Sequence, residues 1–271
     1  MTLCFDPDSY GRLVQRLAGC GRPMVGFTGK PETGCLLRLD IDYDLEWAVQ
    51  TARINHRHGI VATYFVLMGS PLYNPGSAAG RRALTGLIGL GQRVALHHHH
   101  GGDHGKDSQD GGALDLGRLE QDFRRLAELA PGAERVVSWH NPAGDLNLLN
   151  TAAAAAGFVS AYDPRVFGSD RYISDSNLGH GAPAIAAFVE TSPRPLVQVL
   201  LHPCNWVAGG TGMDQVLRRT LRHKIEIMLA TFDENRVWHE RAGIPVIAEI
   251  RAAAWYREDD RDDKDDKDGE Q

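Results

Sequence analysis

Leu36-Leu37-Arg38-Leu39-Asp40-Ile41-Asp42 is an apolar run that ends in carboxylates, and four later segments share its form. They are Val94-Ala95-Leu96-His97, Val136-Val137-Ser138-Trp139-His140, Tyr172-Ile173-Ser174-Asp175 and Val197-Gln198-Val199-Leu200-Leu201-His202. Short runs rich in Val, Ile and Leu, bounded by Gly, Pro and Asn, read as buried strands. Side chains at the downstream ends of several such strands can converge at one mouth of a parallel sheet or barrel. That face holds the active sites of α/β folds. Asp and neutral His are also good ligands for Zn²⁺ and similar divalent metals.

Working outward from these runs, the pattern predicts seven strands. They are centred on residues 35–41, 60–67, 93–97, 135–139, 158–161, 171–174 and 196–201. Helices are expected over 45–56, ended by Gly59, and over 81–90, 116–129 and 213–242, with an Ala-rich helix ending at Gly157. Strands that alternate with helices imply right-handed parallel units. The expected fold is α/β, a distorted barrel of seven strands in one domain over residues 1–256, with an open doubly wound sheet as the alternative.

Composition narrows the function classes. The chain has 271 residues, 42% of them hydrophobic and 24% charged, as in ordinary soluble domains. Its net charge of −6 is mostly that of residues 257–271, which hold nine acids and four bases. That stretch is expected to be a solvated, disordered tail. The body is close to neutral, so there is no basic face to suggest nucleic acid. No run approaches the length of a membrane span, and the first residues lack the pattern of a signal peptide, so a cytoplasmic location is expected. Cys4, Cys20, Cys35 and Cys204 have neither metal-site nor disulfide-framework spacing and read as small thiols in a reducing compartment.

The segment Arg38–Asp42, the helix after it, and Gly59-Ile60-Val61-Ala62-Thr63-Tyr64-Phe65-Val66 together resemble the opening of the polysaccharide deacetylase family of carbohydrate esterases. Strand-end His97, Tyr172-Ile173-Ser174-Asp175-Ser176 and Leu200-Leu201-His202-Pro203 follow in the order of that family's later motifs. The resemblance spans roughly residues 35–206. It implies a distorted (β/α)₇ barrel and a metal-dependent hydrolase of an N-acetyl or O-acetyl group on a sugar or oligosaccharide. By matching position, Asp40 is the general base, Asp42 a metal ligand and His202 the general acid. The chemistry agrees: alternate residues of a strand face one side, and a carboxylate beside a cation stays ionised and can take a proton from water. A histidine titrates near neutrality and can protonate a leaving amine. Asp44 reads as the cap of the following helix.

The family's usual pattern puts a second histidine ligand four residues after the first, but here that position is Gly101. His97 is taken as one ligand, and the third is left among His99, His100 and His104. His99 is favoured because it shares the side of His97 if the strand runs on. Where many relatives have Arg-x-Pro, this chain has Ser138-Trp139-His140-Asn141-Pro142. His140 there could orient a carboxylate, contact substrate or complete the metal shell, and Asp175 is assigned a substrate-binding or orienting role. The same constellation would also serve a hydrolase of a non-sugar amide or imide, or a barrel that binds glycan or metal without turnover.

Overall fold

The computed structural model describes residues 4–99, 115–142, 145–234 and 245–253. His100, His104, residues 235–242 and the acidic tail lie outside the described residues. The chain divides into two compact units, Met1–Thr211 and Gly212–Gln271. The first holds every strand. In order it comprises α1 (Pro7–Gly19), β1 (Met24–Val25), β2 (Gly34–Ile41), α2 (Leu45–Arg57), β3 (Thr63–Leu67), α3 (Ala78–Gly89), β4 (Arg93–His98) and α4 (Leu116–Leu129). There follow β5 (Val136–Trp139), α5 (Leu146–Ala155), β6 (Val159–Ser160), β7 (Tyr172–Ser174), α6 (Ala182–Thr191), β8 (Leu196–Leu201) and α7 (Pro203–Val207). The second unit contributes α8 (Met213–Asp233) and α9 (Pro245–Ala252). No described helix is long and apolar enough to cross a membrane.

All strand pairings are parallel, and the path is β6-β5-β4-β3-β2-β8-β7, with β1 alongside β2. This is the cyclic order of a seven-stranded barrel opened between β6 and β7. The expected distorted (β/α)₇ barrel is therefore the fold, curled as a half-barrel with helices around it. Its central strand β2 is buried along its whole length, as a parallel strand covered on both faces must be. Leu36, Arg38 and Asp40 share one face of β2. On that side Leu36 packs with Phe27, Phe65, Ala95, Val136, Ala161, Val166 and Leu196 in a single apolar cluster. Two elements ahead of β2 were not expected. Helix α1 is capped by Asp6, whose carboxylate accepts from the Ser9 N–H at 2.5 Å, and β1 is only two residues long.

Side chains span the opening between β6 and β7. Gln198, on β8 and fully buried, donates through Nε2 to the carbonyls of Ala161 at 3.0 Å and Val166 at 3.2 Å. The rings of Tyr162, Phe167 and Tyr172 follow one another with centroids 4.8 Å apart at each step. Gln198→Leu removes the donor shared by two buried carbonyls, and a lost buried hydrogen bond costs about 1–3 kcal/mol. The urea midpoint should fall by that equivalent with the slope unchanged; an unaltered midpoint would show that the seam does not depend on this side chain.

Candidate functional site

Parallel strands bring their carboxyl ends to one level, and the register fixes which ends are adjacent. Leu67 pairs with His97, and His97 with Ser138. β2 stops at Ile41, and Asp42 follows it directly. The result is a compact group in which Asp42 Oδ1 lies 3.2 Å from His97 Nε2 and 3.4 Å from His140 Nδ1. The two imidazoles meet at 3.1 Å, His97 Nε2 to His140 Nδ1. Among the described residues this is the group whose ligand atoms could hold a metal ion, all within 4.8 Å of one another.

The proton positions matter more than the distances. His97 Nδ1 lies 3.1 Å from the Ser138 carbonyl, which can only accept, so Nδ1 carries the hydrogen. Nε2 is thereby turned toward Asp42 Oδ1 and His140 Nδ1. A histidine anchored through one nitrogen to a backbone carbonyl is the usual arrangement of a metal ligand. The donor set of one carboxylate and two imidazoles suits Zn²⁺ or a similar borderline ion. Burial pushes the Asp42 carboxyl up, but His140, His97 and His202 outweigh it and hold it well below the ordinary range.

Asp40 sits deeper and on the other side of His97, with Oδ2 3.8 Å from Nδ1. Arg38 grips both of its oxygens, Nε to Oδ1 at 2.8 Å and Nη2 to Oδ2 at 2.6 Å. The Ser138 hydroxyl adds a donor to Oδ2 at 2.9 Å. Burial alone would raise this carboxyl, yet Arg38 and then His97 keep it below its usual value.

His202 closes the group from β8. Its Nδ1 donates to Asp175 Oδ1 at 2.6 Å, and its Nε2 faces Asp42 Oδ2 at 3.9 Å. Asp175 is fully buried and saturated: Oδ2 accepts from the His202 backbone N–H at 3.0 Å and from the Trp206 indole at 2.7 Å. Burial works against charge on His202, but the contact with Asp175, helped by Asp42 and Asp40, raises it to about 9. It is therefore a protonated imidazole at neutral pH, held in one orientation.

All the residues singled out at strand ends are thus drawn into one site: Asp40, Asp42, His97, His140, Asp175 and His202. Asp44 accepts from the N–H groups of Glu46 and Trp47 at 2.8 and 3.1 Å, and caps α2 as expected. Because β4 ends at His98, the histidine run diverges. His98 turns away and pairs with Asp122 of α4, Nδ1 to Oδ2 at 3.1 Å. His99 lies beside His140, ring centroids 5.6 Å apart, outside the three-ligand group. The grip of Arg38 on Asp40 was not anticipated, although residues 38 and 40 alternate onto one face and the spacing was there to read.

No protein-family profile matches the chain, and no curated protein matches it. Several solved structures are similar. One is a CE4-family pseudoenzyme from Bacillus anthracis, 13% identical over 73% of this chain and 62% of that one, with a TM-score of 0.45. Another is a peptidoglycan deacetylase from Bdellovibrio bacteriovorus, at 13%, 76%, 54% and 0.42 on the same measures. A third is a CE4 esterase from Streptococcus mutans, at 11%, 74%, 80% and 0.45. The chain spans less than two thirds of the first two.

Zinc titration of metal-free protein separates the histidines. His140→Ala should weaken binding by more than the roughly 10–100-fold typical of losing an outer partner. His98→Ala should leave zinc affinity intact and lower the melting temperature instead. If His99→Ala, and not His140→Ala, is the variant that loses zinc, the three-residue group is wrong.

Proposed function

We propose that this chain is a metal-dependent deacetylase that hydrolyses an N-acetyl or O-acetyl group on a sugar or glycan-building intermediate. The observation that carries the reading is the convergence of Asp42 Oδ1, His97 Nε2 and His140 Nδ1, with His97 anchored through Nδ1 on the Ser138 carbonyl. Asp42, His97 and His140 would hold a divalent cation, which supplies Lewis acidity toward water and the acyl carbonyl. The sequence resemblance to polysaccharide deacetylases supports the acetylated sugar as substrate.

The division of labour among this chain's own residues follows from their partners. Asp40 stays ionised beside Arg38 and takes a proton from the water that attacks the acyl carbon. His202, protonated and held by Asp175, gives its Nε2 proton to the nitrogen or oxygen that leaves as the acyl bond breaks. Base and acid are distinct groups set apart by their environments: a carboxylate kept charged by a guanidinium, and an imidazolium kept charged by a buried carboxylate. The products are acetate and the free amine or alcohol.

Asp40→Asn should lower acetate release from acetylated amino sugars by about 10²–10⁴-fold, while bound zinc stays stoichiometric. Chelation should abolish the wild-type rate, and zinc should restore it. Acetate release is to be measured on a panel of N- and O-acetylated sugars alongside small non-sugar amides. Turnover only on the non-sugar amides would replace the glycan reading. Zinc binding with no turnover of any kind would leave a binding protein.

A further inference from the structure

The steps above use Arg38 only to keep Asp40 charged, yet it is one of the largest fully buried side chains. It lies two residues before Asp40 on the same face of β2, and its planar fork covers both carboxylate oxygens. Nη2 also reaches Ser138 Oγ at 2.5 Å and Tyr162 Oη at 3.0 Å. One Nη2 proton goes to Asp40 and the other is shared between the two hydroxyls, which pass their own protons on. Ser138 donates to Asp40 Oδ2 at 2.9 Å, and Tyr162 donates to the Trp139 carbonyl at 3.3 Å. The guanidinium lies against Tyr162 and Phe65, with Cζ 4.5 and 5.6 Å from the ring centroids. Three segments, β2, β5 and the turn after β6, therefore converge on one guanidinium.

A carboxylate held by one hydrogen bond can still rotate about its terminal torsion. Two parallel N–H···O bonds from a planar fork remove that freedom, and a lysine ammonium cannot reproduce them. We propose that Arg38, steadied by Ser138 and Tyr162, is the positioning residue for Asp40. It fixes the plane of the carboxylate so that one oxygen stays turned to the His97 side of the site. The proposal rests on the reading of Asp40 as the base. It gives Arg38 a function that the metal ligands do not share: orientation of the base without any hold on the metal.

The test uses zinc-loaded full-length protein with Arg38→Ala and Arg38→Lys, measured for zinc content, kcat, KM and melting temperature. Arg38→Lys retains a buried cation and guards against a folding failure in Arg38→Ala. Both variants should keep stoichiometric zinc and a KM near that of the wild type. Their kcat should fall about 100-fold, the scale expected when a reacting group is displaced by about an ångström. Millimolar guanidinium added to Arg38→Ala should restore kcat saturably and raise the melting temperature, whereas methylammonium should do neither. Both effects should vanish in Arg38→Ala/Asp40→Asn. Wild-type kcat in Arg38→Lys, or a loss that tracks zinc or folding with no guanidinium response, overturns the proposal. If the wild-type protein turns over nothing, the hydrolase reading fails instead. The Asp40-dependent guanidinium effect on melting then decides the clamp, and its absence sinks it.

Discussion

A guanidinium inside a barrel must find acceptors for its protons and a counter-charge within a few ångströms. Otherwise the energy of taking it out of water, several kcal/mol for a buried ion, is not recovered. Arg38 finds its counter-charge in Asp40 and acceptors for Nε and Nη2 in Asp40, Ser138 and Tyr162, while Nη1 has no hydrogen-bond partner among the described residues. Each partner in turn depends on the barrel being curled. Asp40 is on the same strand, but Ser138 sits on β5 and Tyr162 follows β6, at one end of the strand path. A flatter sheet would carry Ser138 and Tyr162 away from β2 and leave the guanidinium short of acceptors. The same pair that sets the base therefore also rewards the curvature that assembles the rest of the site.

Charge balance then explains why the remaining groups want a cation. Three carboxylates are gathered at the strand ends: Asp40, Asp42 and Asp175. Arg38 matches the first, and the protonated His202 matches the third. Asp42 is left facing two imidazoles, one of which is anchored through Nδ1 on a carbonyl. In a medium of low effective dielectric a lone carboxylate is unfavourable unless it is paired. A proton shared among Asp42, His97 and His140 would satisfy it partially. A divalent ion would satisfy all three donors at once, so the group could hold a metal ion.

The strands, their parallel arrangement and the residues at their ends were legible because they rest on local signals: apolar runs of the right length, closed by a polar residue. Asp40, Asp42, His97, Asp175 and His202 could all be found this way. What could not be found depended on contacts across the fold. Helix α1 and strand β1 precede the first strong run, and β1 is too short to show a period. Arg38 sits inside an apolar run where a charged residue looks like an exception. Its partners are 100 and 124 positions away, at Ser138 and Tyr162. At the end of its strand, His140 reads equally well as a functional group or as a histidine that only satisfies a backbone carbonyl until its spatial neighbours are known.

The choice between His99 and His140 shows how register decides what spacing cannot. In a strand, alternate residues return to the same face, so His99 would rejoin His97 only if β4 continued. It ends at His98, which is drawn outward to Asp122. β5 runs beside β4 in parallel, with Ser138 opposite His97 and Trp139 opposite His98. The next residue, His140, donates its backbone N–H to the His98 carbonyl at 2.8 Å and so is pinned as the neighbouring strand leaves the sheet. Asn141, in the left-handed region at φ 45°, then turns the chain sharply, a conformation Asn tolerates better than most residues. That turn leaves His140 facing inward at the level of Asp42. His140 thus brings a third donor beside Asp42 and His97, although position 101 is a glycine.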